Sequence, residues 1–274
     1  MSPKTKPWTL AHEHYASGAW PESFRARVQA MENDPDRGRH LKHKNETRHQ
    51  IPPCQFKDLG IRPLSPASPN WPENWNSVPR PPVLVYARGK VIPAVATLAV
   101  VGSRTLDPYA ARVTRAVVRE FAERFPCGQV VSGGAMGVDE VALRSALDAG
   151  LHPTVVLAGG VDRLHPRTLH QMLSACLDVG TVVSESYPGT SAHPRLFPGR
   201  NRLISGLSDG LVVVRAADGS GSAHTIRHAI TQKRPVLGVV GMIDDRRSRG
   251  IHDLIQSGAI QPLWKPADIH VFWP

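Results

Sequence analysis

The sequence predicts an α/β fold with a mostly parallel sheet and helices on both of its faces, because short apolar runs alternate along it with helical patterns. Runs such as TLAVV (97–101) lack alternating polar positions, as strands buried on both faces require. Glycine-bearing turns follow these runs, and segments with helical periodicity follow the turns. Together these observations predict an extended, doubly wound, Rossmann-like domain.

Helical periodicity is clearest at 107–125, where Ala110, Val113, Val117 and Phe121 can share one face. Further helices are predicted at 138–149, around 166–178 and at 222–233. The strand-like segments, taken in chain order, are 82–89, 96–104, 129–132, 155–158, 180–185, 211–214 and 234–241.

A basic, polar extension precedes this domain and occupies residues 1–60. Its one helical pattern lies at Pro21–Met31, where proline and glutamate suit a first turn. Residues 36–50 are a basic run with little apolar content, typical either of a solvated arm or of an arm that contacts phosphates. We expect the extension to be partly helical or disordered.

Proline is so frequent in residues 61–82 that neither a helix nor a central strand can form there. The segment is predicted to be an extended lead-in along the domain, with Trp71 and Trp75 as its anchors. The Rossmann-like domain, lead-in included, is predicted at 61–265, and residues 266–274 are expected to form a tail.

The formal net charge of +10 favours an anionic partner, with nucleic acid ahead of an acidic membrane. A charge spread over the surface for solubility is the alternative. The cysteines Cys54, Cys127 and Cys176 lie far apart, which fits a reducing compartment better than disulfides or a zinc site. No apolar run is long enough to span a membrane, so we expect a cytoplasmic protein without membrane contact.

In a doubly wound sheet the ligand binds at the carboxyl ends of the strands, so the residues that follow each strand predict the site. Small residues there let backbone N–H groups approach an anion closely. An arginine placed directly after a buried strand and a Gly-Ser turn favours a bound phosphate. This rim comprises Gly102, Ser103, Arg104, Ser132, Gly133, Gly134, Met136, Gly137, Ser220, Gly221 and Ser222.

No set of residues predicts catalysis, a metal or a cofactor. The acids Asp139, Glu140, Asp162 and Glu185 have no evident partner carboxylate or nucleophile. The dinucleotide fingerprint and the P-loop pattern are both absent from the sequence. The sequence therefore predicts a binding protein that is not an enzyme.

The order of short motifs along the chain resembles that of the DNA-processing protein DprA/Smf family, over about residues 61–262. The motifs are VGSR (101–104), SGGAMGVD (132–139), LAGGVDRLHP (157–166), SESYPGT (184–190), FPGRNRLISGLSD (197–209), SGS (220–222) and SRGIHDLIQSGA (248–259). The sequence departs from the family pattern at Gly134, Met136, Val138 and Leu143, and Arg215 replaces a common glutamate.

The resemblance implies an extended Rossmann fold that binds single-stranded DNA in a positively charged pocket, without base specificity. It also implies a homodimer that loads a RecA-type recombinase onto DNA and acts in recombination and natural transformation. The pocket would contain Arg104, the glycine turn 133–137, and Arg200, Asn201 and Arg202 of the FPGRNR segment. We expect the last three side chains to face the same rim as Arg104.

A second interpretation remains open, namely a nucleotide sensor or nucleotide hydrolase of the wider superfamily that includes the Lonely guy phosphoribohydrolases. Enzymes of that superfamily carry a PGGxGT-type loop with a nearby catalytic glutamate. Here Pro188-Gly189-Thr190 is only a fragment of that loop, and Glu185 lies on its wrong side.

Overall fold

The computed structural model describes residues 51–92, 96–217 and 220–274. The helix predicted at Pro21–Met31 and the basic run at 36–50 lie outside the described residues. Within these ranges, nine strands form one sheet in the order β1-β2-β6-β5-β4-β3-β7-β8-β9. They are β1 Arg62–Leu64, β2 Val85–Gly89, β3 Thr97–Gly102, β4 Gln129–Ser132, β5 His152–Val156, β6 Thr181–Ser184, β7 Gly210–Val214, β8 Val236–Val239 and β9 Gln261–Leu263.

In the order of the sheet, the seven strands from β6 across to β9 pair in parallel with their neighbours. Strand β2 pairs antiparallel with β6, and β1 pairs antiparallel with β2. The chain first builds outward from β3 through β4, β5 and β6, and then returns to add β7 on the other side of β3. The strand order therefore reverses between β3 and β7, which makes their carboxyl ends the topological switch point. The predicted doubly wound, mostly parallel sheet is confirmed.

In the described part of the chain, six α-helices cover the two faces of the sheet. They are α1 Pro108–Arg124, α2 Val138–Asp148, α3 His170–Val179, α4 Leu196–Leu207, α5 Gly221–Thr231 and α6 Arg249–Gln256. Helix α1 begins where the sequence predicts it, because the Asp107 carboxylate accepts the Ala110 N–H at 2.8 Å and Pro108 follows the cap.

Alternate residues of each central strand pack against opposite helical layers. In β3, Ala99 and Val101 contact the layer of α4, α5 and α6, while Leu98 and Val100 contact the other layer, to which α1 and α2 belong. Both faces are therefore apolar, which is why the strands show no polar alternation in the sequence.

The proline-rich lead-in lies across α4, as expected from its tryptophans. Trp75 is only 1% exposed, and its indole N–H donates to the Leu203 carbonyl at 3.1 Å. Trp71 packs against it in an edge-to-face arrangement with 5.3 Å between ring centroids. A side chain larger than glycine at Gly206 would overlap Val78, so glycine lets the lead-in approach the helix closely.

Several boundaries differ from those predicted. Strand β5 begins at His152 rather than at 155, because the short apolar run marked only its second half. Strand β9 is not apparent from the sequence, since it is short and contains Pro262. Residues 266–274, expected as a tail, pack on the domain: Ile269 and Phe272 are buried, and the Trp273 indole donates to Asp209 at 3.0 Å.

Replacing Trp75 with alanine removes a buried indole and its hydrogen bond. We expect the Trp75→Ala variant to lose about 3–5 kcal/mol of unfolding free energy in urea denaturation. The control is Val179→Ala, at an apolar residue at the end of α3 that is 47% exposed. The control should stay within about 0.5 kcal/mol of the unmodified protein. Equal losses in the two variants would contradict the anchoring role of the lead-in.

Candidate functional site

Strands β3 and β7 end side by side at the switch point, and Gly102 makes this approach possible. A Cβ atom on Gly102 would overlap the Val214 carbonyl oxygen of β7. The Ser222 hydroxyl of α5 donates to the Gly102 carbonyl at 2.8 Å. The start of α5 is thus held against the end of β3, which brings two of the predicted turns together.

The glycine turn 133–137 that follows β4 packs on the turn that follows β3. Gly134 and Gly137 have φ angles of +70° and +87°, which favour glycine. A Cβ atom on Gly137 would overlap the Ser103 carbonyl, and the Val138 N–H donates to that carbonyl at 3.1 Å. Met136 projects outward from this turn and is half exposed.

Two buried side chains of opposite charge, Arg200 and Asp139, bind the backbone of the glycine turn. Arg200 of α4 donates through Nη1 to the Gly133 carbonyl at 2.8 Å and also to the Val156 carbonyl. The Asp139 carboxylate accepts the N–H groups of Gly133 and Ala135 at 3.1 and 3.4 Å. A Cβ atom on Gly133 would lie 2.8 Å from both the Arg200 guanidinium and the Asp139 carboxylate, so both side chains approach this glycine closely.

Arg200 keeps its positive charge in this environment. Burial lowers its pKa to about 10, the Asp139 carboxylate opposes that shift, and the nearby charge of Arg104 adds to it. At pH 7 the guanidinium is therefore protonated, and much of its hydrogen-bonding capacity is taken up by groups of its own chain. Its Nε also donates to the Asn201 side chain at 3.0 Å, and Asn201 in turn donates to the Gly221 carbonyl at 3.2 Å.

Arg202 is buried as well and makes a two-pronged ion pair with Glu185. Its Nη1 and Nη2 lie 2.6 and 2.7 Å from the two carboxylate oxygens, and its Nε donates to the Arg80 carbonyl of the lead-in at 3.0 Å. The sequence predicts that Arg200, Asn201 and Arg202 face the rim with Arg104; the structure buries all three residues, and Arg200 reaches the rim from beneath, against the glycine turn and the Phe197 ring. The chain enters α4 at Leu196, so these residues lie on a helix that packs against the sheet.

Unlike Arg200 and Arg202, Arg104 is exposed at the rim. Its guanidinium lies over the ring of Phe197, 5.6 Å from the centroid, and Arg200 lies 5.4 Å from the same centroid. Phe197 is half-buried in the first turn of α4. An aromatic ring in contact with two cations therefore marks the carboxyl edge of β3 and β4.

Phe197 is not among the site residues predicted from the sequence. The signal that could have found it is the aromatic residue that precedes a basic segment, since such interleaving is typical of surfaces that stack bases. The remaining predicted serines mostly have local roles. Ser132 donates to the Val100 carbonyl at 2.7 Å, and the Ser103 hydroxyl accepts the Thr105 N–H at 3.1 Å. The hydroxyl of Ser220 is buried without a hydrogen-bond partner among the described residues.

Arg215 follows β7 at the switch point with a φ angle of +61°. Its side chain is buried and lies 3.1 Å from the Asp107 carboxylate and 3.0 Å from that of Asp245. Hydrogen bonding to Arg247 is the main reason why the pKa of Asp245 falls to about 2. These contacts fix the loop after β8 against the start of α1.

Within the described ranges, no group of histidine, cysteine, aspartate and glutamate side chains is arranged to hold a metal ion. None of the helices in that part of the chain is long and apolar enough to cross a membrane.

Removing the Arg200 side chain would leave Asp139 as a buried charge without its cationic partner. We expect Arg200→Ala to cost about 3–5 kcal/mol of unfolding free energy, because the desolvated carboxylate is no longer compensated. Arg104→Ala is the matched control and should change stability by less than about 0.5 kcal/mol, since Arg104 is exposed. Chemical denaturation measures both, and similar losses would refute the assignment of separate roles.

Comparisons with solved structures agree with this architecture. A DNA processing protein A from Streptococcus pneumoniae is 28% identical, with a TM-score of 0.72 over 81% of this chain and 78% of that one. A DNA processing protein A from Helicobacter pylori, described for its single-stranded DNA binding mode, is 25% identical. Its TM-score is 0.69 over 76% of this chain and 93% of that one.

Sequence relatives agree with the comparison of solved structures. DNA processing protein DprA of Bacillus subtilis is 31% identical over 78% of this chain and 72% of the relative. Protein Smf of Escherichia coli is 39% identical over 60% of this chain, which spans only 43% of that relative. The model of the family described as DNA recombination-mediator protein A matches residues 62–273. Since this match takes in most of the chain, the protein belongs to the DNA recombination-mediator protein A family.

Proposed function

We propose that this protein binds single-stranded DNA without base specificity and acts, without catalysis, in DNA processing and recombination. The observation that carries the proposal is the exposed Arg104 over the ring of Phe197, at the carboxyl edge of the sheet. The binding of single-stranded DNA described for the Helicobacter pylori relative supports it.

The proposed binding mode assigns a different task to each group at this edge. Arg104 neutralises a backbone phosphate, because its guanidinium is exposed and always charged. Phe197 offers a ring on which a base stacks, whichever base it is. Arg200 holds the glycine turn and lies against the same ring, so it positions the surface rather than contacting the phosphate. A surface of this kind suits a polymer whose sequence is not read.

The carboxylates near this edge support a function without catalysis. Asp139 accepts two backbone N–H groups beside Arg200, and Glu185 is held by both terminal nitrogens of Arg202. A general base needs a carboxylate that can reach a substrate proton. Both of these carboxylates are instead hydrogen-bonded to groups of the protein itself.

Fluorescence anisotropy with labelled oligo-dT of about 20 nucleotides tests the proposal. Phe197→Ala should weaken binding by about 5–150-fold, the equivalent of about 1–3 kcal/mol for one stacked base. Arg104→Ala should lower the slope of log affinity against log salt by about 0.7, the value for one phosphate contact on a single strand.

Arg119→Ala serves as the control for these variants. This arginine lies on α1 with its side chain 76% exposed, about 16 Å along the helix from its start at the carboxyl edge. Equal affinity for matching duplex DNA would argue against single-strand binding. Saturation by a mononucleotide at concentrations that displace the oligonucleotide would favour the nucleotide-sensor interpretation instead.

We also propose a homodimer as the form that loads a RecA-type recombinase. Large apolar side chains are exposed after two neighbouring strands: Met242 and Ile243 follow β8, and Trp264 follows β9. These strands run in parallel, so the three side chains lie at one corner of the sheet. An exposed apolar corner of this kind is typical of a protein contact.

Sedimentation velocity tests the dimer. Ile243 is 97% exposed, so Ile243→Lys should shift the protein toward the monomer without lowering its melting temperature. Val179→Lys, at an exposed apolar residue at the end of α3, should leave the sedimentation coefficient unchanged. An unmodified protein that sediments as a monomer at all concentrations would refute the dimer.

A further inference from the structure

A cavity of about 400 Å³ lies at the amino ends of the central strands, beneath the proline-rich lead-in. Strands β3, β4 and β6 begin at Thr97, Gln129 and Thr181, and all three residues line this amino-end cavity. The surface around Arg104 lies at the opposite end of the strands, and the length of β3 separates the two places by about 16 Å. Small-molecule sites in proteins commonly occupy about 300–1,000 Å³, so the amino-end cavity has the size of a ligand site.

Two tryptophans of the lead-in form one wall of the amino-end cavity, namely Trp71 and Trp75. The indole N–H of Trp71 already donates to the Asn76 side chain at 3.0 Å. That of Trp75 donates to the Leu203 carbonyl at 3.1 Å. The two indoles therefore offer a ligand their ring surfaces rather than hydrogen bonds. A wall of this kind favours a flat ring, which can pack against an aromatic side chain.

A row of buried, uncharged polar side chains forms the floor of the amino-end cavity. The Thr97 hydroxyl donates to the Gln129 amide oxygen at 3.3 Å, and the Gln129 amide nitrogen donates to the Thr154 hydroxyl at 2.6 Å. The Gln129 nitrogen carries a second N–H, and the Thr154 hydroxyl carries its own proton. Among the described residues, neither of these donors has an acceptor. Since both residues line the cavity, its floor suits a ligand that presents hydrogen-bond acceptors.

The charge at the amino-end cavity is opposite in sign to that of the whole protein. The chain has a formal net charge of +10, yet no lysine, arginine or histidine of the described residues lines the cavity. Glu73 is the only ionisable side chain among the described lining residues, and it is exposed. A carboxylate without a neighbouring cation repels a phosphate. The cavity is therefore unsuited to DNA or to a nucleotide.

We infer that the amino-end cavity binds an uncharged nitrogen heterocycle with carbonyl or ring-nitrogen acceptors, of the class of a free nucleobase or a nucleoside. Such a molecule is flat, so it packs against the indole rings. Its acceptors meet the spare donors of Gln129 and Thr154, and it has no phosphate for Glu73 to repel. The inference does not depend on the proposed function, because the two sites lie at opposite ends of the strands.

Equilibrium dialysis of the full chain against labelled ligands tests the inference. The ligands are uridine, cytidine, adenosine and thymidine, each compared with its 5′-monophosphate. We expect a nucleoside to bind and its monophosphate to bind about tenfold more weakly or not at all, because Glu73 repels the phosphate. Indole is the control ligand, since it is a flat ring without a ring-nitrogen or carbonyl acceptor, and it should bind more weakly than the nucleoside.

Variants of the floor and of the charged residue locate the bound nucleoside. Gln129→Met keeps the length of the side chain and removes its amide, so it should weaken nucleoside binding by about 3–10-fold, as expected for one hydrogen bond. Glu73→Lys should leave nucleoside binding unchanged and raise the affinity for the monophosphate to at least that of the nucleoside. Glu123→Lys makes the same charge change on α1, at a side chain that is 68% exposed, and should alter neither affinity.

The melting temperature of Gln129→Met is measured as well, because Gln129 is buried. If it falls, Glu73→Lys decides the inference alone, since an exposed residue can be replaced with little loss of stability. A monophosphate preference that Glu73→Lys leaves unchanged would overturn the inference. Absence of binding by any of the nucleosides to the unmodified protein would overturn it too.

Competition separates the amino-end cavity from the carboxyl edge. A nucleoside in the cavity should leave the fluorescence anisotropy of bound, labelled oligo-dT unchanged. Displacement of the oligonucleotide by the nucleoside would place the nucleoside at the carboxyl edge and contradict the inference. If the unmodified protein fails to bind oligo-dT, only the proposed function is refuted, and dialysis still decides whether the cavity binds a nucleoside.

Discussion

The buried contact between Arg200, Asp139 and the glycine turn is the constraint on which the carboxyl edge depends. Arg200 reaches from α4 to carbonyls that follow β4 and β5, while Asp139 reaches back from α2 to the N–H groups of the same turn. Two side chains of opposite charge therefore hold one turn from helices on opposite faces of the sheet. A buried pair of this kind adds little net stability, but losing one partner is costly, so it fixes the geometry of the turn.

A second buried arginine extends this constraint to the proline-rich lead-in. Arg202 holds Glu185 after β6 and the Arg80 carbonyl in the lead-in. Together with the Trp75 hydrogen bond, this contact places the lead-in along α4. Helix α4 thus carries two arginines that organise the edge from below and one aromatic ring, Phe197, that lies at its surface. The exposed Arg104 beside this ring remains available to a ligand, because the buried Arg200 and Arg202 make the contacts that hold the backbone of the edge in place.

The fold could be predicted from the sequence, because the patterns that indicate its strands, helices and turns are local. Continuous apolar runs, a proline after a capping aspartate at 107–108 and glycines after strands each act within a few residues. Arg104 was identified by the same local rule, as the residue after a strand and a turn. The burial of Arg200 and Arg202 was not predicted, because their hydrogen-bond partners, the Gly133 carbonyl and the Glu185 carboxylate, are distant in sequence. Nothing in FPGRNR itself indicates that a carbonyl or a carboxylate lies within reach.

The position of Arg215 has a consequence for the size of ligand that this protein can accommodate. In open α/β sheets the crevice at the reversal of strand order encloses a small ligand. Here Arg215 is fixed across that crevice by Asp107 and Asp245, and Ser222 bonds to the end of β3 on its other side. Small molecules bind tightly where most of their surface is enclosed. Arg215 and its two carboxylate partners take up part of this crevice, so the proposed DNA-binding surface lies beside it, at the exposed edge marked by Arg104 and Phe197.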